Sequence, residues 1–192
     1  VMLQKLNHQP NPSNMNNWTI SRRVIAGFAA MLLIIVTLGV FALWRLMGLA
    51  EDIAYVADNS VPSILILRET STRSRDNLIS ILQIDPSNTT DRNSMLQQKI
   101  STNDARRAEL IKSYESLISD AEDRRLYEEI KRTSDVARAS RGRALELLKE
   151  NKVDEFRKVR QEEVIPDYEK YLNAIDLDVD YNDKLAKTYA DH

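Results

Sequence analysis

The apolar positions divide the chain into one uninterrupted apolar run and a long amphipathic remainder. From Val24 to Leu43 there are 20 residues without a charge. A helix needs about 20 predominantly apolar residues to cross a bilayer core of roughly 30 Å, so this run predicts a transmembrane helix over residues 24–43. A cleaved signal peptide and a buried core helix are the alternatives. A signal peptide has an apolar stretch of about 7–15 residues before a small-x-small cleavage site, whereas this run ends in Leu-Trp-Arg-Leu.

The residues beside the run predict its orientation. Trp18 and Trp44 lie just outside its two ends, where aromatic rings favour the headgroup layer of a membrane. Arg22 and Arg23 directly precede it, and several acidic residues follow it. The positive-inside bias therefore places the N-terminus in the cytoplasm.

Apolar positions after the run repeat in steps of three and four, which is typical of helices that bury one face. The pattern predicts four helices, over about 46–83, 91–118, 121–150 and from about 154 to the end of the chain. Together they predict an all-α fold in which the membrane helix continues into an up-down-up-down antiparallel four-helix bundle.

The domain organisation follows from these two patterns. We expect a cytoplasmic tail over 1–23, the membrane helix over 24–43 and a bundle outside the cytoplasm over 44–192. The fourth helical pattern is still periodic at His192. We therefore expect the chain to stop before a second membrane span.

Local signals predict where the helices begin and bend. Ser119-x-x-Glu122 matches a capping box and predicts a helix start close to Ser119. Asn151 or Asp154 is expected to cap the fourth helix. Pro62 and Pro166 fall inside helical patterns, where proline removes a backbone hydrogen bond and crowds the preceding turn. Each proline is therefore expected to kink or reset its helix.

The composition excludes several kinds of metal, catalytic and nucleotide-binding site. There is no cysteine, and the two histidines, His8 and His192, lie in the chain's two tails. Thiolate metal sites, histidine metal sites and catalytic triads therefore lack their residues. The four glycines are isolated and form no phosphate-binding loop. We expect no enzymatic activity, no metal, no cofactor and no nucleic-acid partner.

Three stretches carry a family resemblance: Trp18-Thr19-Ile20-Ser21-Arg22-Arg23 before a span with Gly27-Phe28, Asn59-Ser60-Val61-Pro62-Ser63-Ile64, and Val164-Ile165-Pro166-Asp167-Tyr168 with Asn182 beyond it. Together with the order of the parts, they resemble the N-terminal half of a bacterial methyl-accepting chemotaxis receptor, over about residues 18–192. The resemblance implies a homodimeric sensor in a bacterial inner membrane, with its bundle over 44–192 in the periplasm, that detects a small molecule and signals by a helix displacement. Its cytoplasmic signalling partners act through parts that this sequence lacks: a second span, a HAMP linker and a helical signalling hairpin.

The resemblance also implies where a ligand binds. In receptors of this family that bind amino acids or organic acids, arginines on the first helix hold the carboxylates near the distal end of the bundle, across a dimer interface. Arginine suits this task because its planar fork donates two parallel hydrogen bonds. The matching candidates are Arg68, Arg73 and Arg75 on the first helix and Phe156, Arg157 and Gln161 on the fourth.

Several alternatives remain open at this stage. The family's second and third arginine positions fall near Asn77 and Ile81, so its three-arginine aspartate site is not reproduced. The arginines could instead form a solvated helix face. The ligand could be a periplasmic binding protein. A similar module serves as the input domain of sensor histidine kinases and diguanylate cyclases, and a membrane-anchored scaffold without a ligand is the alternative from another class.

Overall fold

The computed structural model describes residues 19–190, which are almost entirely helical and contain no strand. The all-α prediction is therefore confirmed. The helices are α1 (Ile20–Tyr55), α2 (Val61–Gln83), α3 (Thr90–Tyr114), α4 (Ala121–Lys149), α5 (Val153–Val159) and α6 (Ile165–Ala190). Short π-helical turns join α1 to α2 (Val56–Ser60) and α5 to α6 (Arg160–Val164), and a 3₁₀ turn, Glu115–Leu117, follows α3.

The chain divides into two compact units, one up to Gly48 and one from Leu49. In the described part of the first unit, the residues belong to an apolar helix with no buried side chain. It supplies the one stretch among residues 19–190 that is long and apolar enough to cross a membrane. Trp44 is exposed there, while Trp18 lies outside the described residues. The exact limits of the span, 24–43, stay a prediction.

The second unit is the four-helix bundle. Helix α2 packs against α3 and α6, and α4 packs against α5 and α6. Within the described residues, the backbones of α3 and α4 approach each other closely at few points, so side chains make most of the contact between these two helices. The seam positions, which are the positions of the predicted repeat in steps of three and four, supply the core: Leu67, Ile81, Tyr114, Tyr127, Ile130, Ala137, Ala144, Phe156, Val164, Tyr168, Leu172, Ile175 and Val179. The predicted bundle is thereby confirmed.

Both prolines reset their helices, as predicted. Pro62 and Pro166 are each the second residue after a π-helical turn. In the first turn, the N–H of Val61 bonds to the carbonyl of Val56, five residues back instead of four. The second turn repeats the pattern. A proline ring crowds the carbonyl four residues before it, and a π turn widens the helix at that point.

The third helix begins at residue 121 as predicted, but the residue that caps it is Asp120 rather than Ser119. The N-cap of α4 is Asp120, whose carboxylate accepts hydrogen bonds from the backbone N–H groups of Glu122 at 2.9 Å and Asp123 at 3.0 Å. Ser119 instead donates its own N–H and hydroxyl to Asp123. A carboxylate at this position also interacts favourably with the positive end of the helix dipole.

The predicted cap of the fourth helix is also wrong. Lys152 precedes α5, and its side chain makes no capping hydrogen bond. Asn151 closes α4 instead, with φ at 60°. Its N–H bonds to the carbonyl of Leu148 at 3.0 Å, and the N–H of Lys152 bonds to that of Leu147 at 2.9 Å. This is the pattern of a Schellman motif, and Asn is one of the few residues that tolerate its left-handed position.

Of the two neighbouring residues Phe156 and Arg157 on α5, Phe156 should contribute more to the stability of the fold. Its ring is fully buried, with the guanidinium carbon of Arg160 5.0 Å from the ring centroid. We expect Phe156→Ala to lower the free energy of unfolding by about 3–5 kcal/mol. The control is Arg157→Ala at an exposed position, which should change it by less than about 0.5 kcal/mol. Urea unfolding of the full chain in detergent micelles measures both, and equal midpoints would contradict the assignment.

Candidate functional site

Two of the six predicted ligand residues, Arg68 and Arg75, share a shallow groove between α2 and α6. A guanidinium nitrogen of Arg75 lies 3.1 Å from a carboxylate oxygen of Asp176, and both side chains are more than half exposed. Among the described residues, no ion pair reaches Arg68. The groove therefore holds one paired and one unpaired arginine on the first bundle helix.

The third predicted arginine lies on a different side of α2. Arg73 pairs with Glu69 at 3.2 Å and donates to the side-chain oxygen of Asn103 on α3, also at 3.2 Å. Glu69 accepts a further hydrogen bond from Arg106 at 3.0 Å. The hydrogen bonds from Arg106 and Arg73 lower the pKa of the Glu69 carboxyl. Arg73 thus belongs to a surface ion cluster between α2 and α3.

The three predicted residues of the fourth helix do not line the groove of Arg68 and Arg75. Phe156 is buried in the core. Arg157 lies on the surface, 3.8 Å from Asp154, and Gln161 is exposed. Their part in ligand binding stays a prediction.

Helix α2 carries an exposed seam that the sequence reasoning missed. Its members follow one another along the helix in alternating steps of four and three residues: Val61, Leu65, Arg68, Thr72, Arg75, Ile79 and Leu82. We call this set the outer seam. Its four apolar members are between 43% and 62% exposed. This spacing is that of the contact positions of a coiled coil, and residues 19–190 of a single chain leave these positions exposed.

The interior of the bundle holds a charged cluster around Asp104, which we call the central node. The carboxylate of Asp104 on α3 accepts hydrogen bonds from Arg107 at 2.9 Å, from Arg141 of α4 at 2.5 Å and from the amide of Asn77 on α2 at 2.8 Å. Asp104 and Arg107 continue the steps of three and four from Ile100 to Ile111, so the sequence pattern predicts inward positions for both, but Arg141 is 37 residues beyond Asp104 along the chain. Only the fold reveals that partner.

Two tyrosines of α6 complete the central node. Arg141 donates to the hydroxyl of Tyr168 at 2.8 Å, and Arg107 donates to that of Tyr171 at 2.7 Å. Burial raises the pKa of Tyr168, against the opposing effect of the two arginines. The node therefore joins all four bundle helices. Its two buried guanidiniums share a single carboxylate.

A second buried cluster lies near the loop between α3 and α4. The hydroxyl of Tyr114 lies 2.5 Å from a carboxylate oxygen of Asp123 and 2.8 Å from one of Asp178. The amide of Asn182 donates to Tyr114 at 3.0 Å and to Asp178 at 3.1 Å. Burial and the charge of Asp123 raise the pKa of Asp178 to about 7, although the hydrogen bonds from Tyr114 and Asn182 act in the opposite direction.

Comparison with known proteins identifies the fold as a signalling module. Residues 17–192 match the family model described as a four helix bundle sensory module for signal transduction. The chain belongs to this family. The predicted resemblance to the sensory module of methyl-accepting chemotaxis receptors is confirmed. No curated protein matches the chain. With its apolar helix near the N-terminus, this sensory module indicates a membrane receptor, and the family is a signalling one rather than a catalytic one.

The buried carboxyl of Asp178 should make the stability of this sensory module depend on pH. Its folded pKa, about 7, lies above the roughly 3.9 of an unfolded aspartate. Between these two pH values Asp178 binds more protons in the folded state than in the unfolded state. Its contribution to stability therefore falls as the pH rises from about 4 to 7.

We expect Asp178→Asn to remove that contribution. The variant should lose less stability than the wild type between pH 5 and pH 8. Asp180→Asn, an exposed change on the same helix, is the control and should keep the wild-type slope. Urea midpoints across this pH range provide the measurement. A wild-type slope in Asp178→Asn would show that Asp178 is already ionised at pH 5.

Proposed function

We propose that this sensory module is the periplasmic input of a transmembrane chemoreceptor that detects a small amino or organic acid. Two copies pair through the outer seam of α2, and ligand binding shifts a bundle helix along the membrane normal. The N-terminus lies in the cytoplasm and residues 24–43 span the inner membrane. The observation that carries this proposal is the outer seam, with its apolar ends and its two central arginines.

A second copy of the chain is the partner that fits the outer seam. Val61 and Leu65 lie at one end of the seam and Ile79 and Leu82 at the other, all substantially exposed. A two-fold pair of such helices would bury both apolar ends against their counterparts. Burial of each apolar side chain contributes roughly 1.5–3 kcal/mol at most. The seam therefore supports a homodimer.

The arginines in the middle of the seam account for the ligand class. In such a dimer, Arg68 and Arg75 of each copy lie near the two-fold axis, and each unpaired Arg68 faces a like charge. A carboxylate placed between the copies relieves this repulsion and accepts paired hydrogen bonds from a guanidinium. An acid that takes Arg75 away from Asp176 also removes an ion pair between α2 and α6.

The inner face of α2 supports a sliding motion. The buried hydroxyls of Thr70, Ser74 and Ser80 each donate to a carbonyl four residues back in the same helix, at 2.8, 2.7 and 2.8 Å. These bonds persist when α2 moves along a neighbouring helix. Helix shifts at interfaces are about 1–2 Å. A ligand drives such a shift only if it binds the two arrangements with different affinity.

A thermal-shift screen of the full chain in detergent micelles tests this function. The probes are amino acids, dicarboxylates, tricarboxylates and aromatic acids. A ligand at 100 times its Kd should stabilise the protein by about 2.7 kcal/mol. For an acid that binds, Arg75→Gln is then expected to raise the Kd at least tenfold, because the planar guanidinium and its charge are lost. Lys152→Gln, an exposed change in the loop between α4 and α5, should leave the Kd unchanged.

Two results would contradict the proposal. A chain that is folded and dimeric but is stabilised by none of the acids would overturn direct acid sensing. An acid that binds Arg68→Gln and Arg75→Gln as tightly as it binds the wild type would remove the outer seam as its site.

A further inference from the structure

A second candidate binding site lies between α3 and α4, whose backbones are further apart than those of α2 and α3. A cleft of about 270 Å³ occupies this gap and shares no lining residue with the groove of Arg68 and Arg75. Its floor consists of buried residues, Arg107, Ile130 and Tyr171. Exposed cations, Lys112 of α3 and Lys131 and Arg138 of α4, form its rim.

The central node, which contributes Arg107 to the floor of the cleft, has an excess of positive charge. The side chains of Arg107 and Arg141 are only 8% and 9% exposed, and both bind the same carboxylate, Asp104. Of the two acids on the rim, Glu115 lies 3.4 Å from Arg124, which is outside the cleft lining, and Asp135 lies 3.8 Å from the rim cation Arg138. A buried charge without a counter-charge is costly. One further negative charge in this cleft would therefore stabilise the node.

One hydrogen-bond donor of Arg107 has no partner among the described residues. Its terminal nitrogens donate to Asp104, Ser134 and Tyr171. Its Nε–H is buried and has no acceptor among the described residues. A buried donor left without a partner costs free energy. The excess charge and the unpaired donor are independent observations, and both indicate an anionic acceptor at Arg107.

We infer that this cleft binds a small apolar carboxylate, with Arg107 as its anchor. The carboxylate faces Arg107 and the rim cations, and the apolar part packs against Ile111, Ile130 and Tyr127. The volume is just below the 300–1,000 Å³ of typical ligand pockets, so the ligand is small. Cations of both helices face the cleft, so a bound acid bridges α3 and α4 where their backbones are apart.

Isothermal titration of the full chain in detergent micelles tests this inference with benzoate. Benzamide is a neutral molecule of nearly the same shape, and inorganic phosphate is a compact anion without an apolar part. We expect benzoate to bind once per chain and the other two probes to bind at least tenfold more weakly. Ala108→Trp places an indole at the cleft and should abolish benzoate binding without removing a hydrogen-bond partner. Ala105→Trp, exposed on α3 but outside the cleft lining, is the matched control and should bind normally.

Arg107→Lys keeps the charge but loses the fork, and it should raise the Kd of benzoate at least tenfold. If that variant fails to fold, the two tryptophan variants decide. Absence of benzoate binding to the wild type overturns the inference, as does equal affinity for benzamide or unchanged binding in Ala108→Trp. Arg75→Gln distinguishes this site from the outer seam: benzoate binding lost there but kept in Ala108→Trp overturns the cleft site while leaving the proposed function intact.

Discussion

One carboxylate inside the bundle, Asp104, is the constraint on which the arrangement of the four helices depends. It accepts hydrogen bonds from Arg107, Arg141 and Asn77, and the two arginines extend to the tyrosines of α6. Removing one partner of a buried ion pair typically costs 3–5 kcal/mol, because the other charge is left uncompensated. The node therefore fixes α3, α4 and α6 at one level, whereas α2 joins it through the amide of Asn77. It also holds α3 and α4 together at a level where side chains, rather than close backbones, connect them.

The node and the hydroxyl-lined face of α2 give the bundle two kinds of packing. Around Asp104, hydrogen bonds between helices fix positions. Along α2, buried hydroxyls such as those of Thr70 and Ser74 bond within their own helix, so they resist displacement less. The π turns before Pro62 and Pro166 add local departures from regular α-helix at the start of α2 and α6. A signal carried by a helix shift requires this combination of a fixed reference and an element that moves against it.

Much of the fold could be predicted from the sequence because helical periodicity directly reports burial. Leu67, Ile130 and Ile175 are buried as the seam pattern predicts. The capping error at Ser119 arose because two adjacent residues can both cap a helix, and only the backbone conformation selects Asp120. The burial of Phe156 in the core depends on which face of α5 meets the other helices, and its part in ligand binding stays a prediction.

The central node could not be predicted in the same way. An inward charge such as Arg107 indicates that a partner exists, but the partner's identity depends on which helices are neighbours. The outer seam was visible in principle, since Val61, Leu65, Ile79 and Leu82 follow heptad spacing. Helix α2 has two faces with that spacing, and the sequence does not say which one the chain buries by itself. The structure assigns the inner face to the bundle and leaves the outer face uncovered.

Disulfide cross-linking in membranes tests most directly whether the outer seam joins two copies. The chain has no cysteine, so a single substitution gives an unambiguous signal. Thr72→Cys lies in the middle of the seam, and Thr102→Cys is a matched exposed position on α3. Our account predicts that mild oxidation converts most of the Thr72→Cys chain to a covalent dimer and little of the Thr102→Cys chain. Equal cross-linking at the two positions, or none at Thr72→Cys, would contradict it.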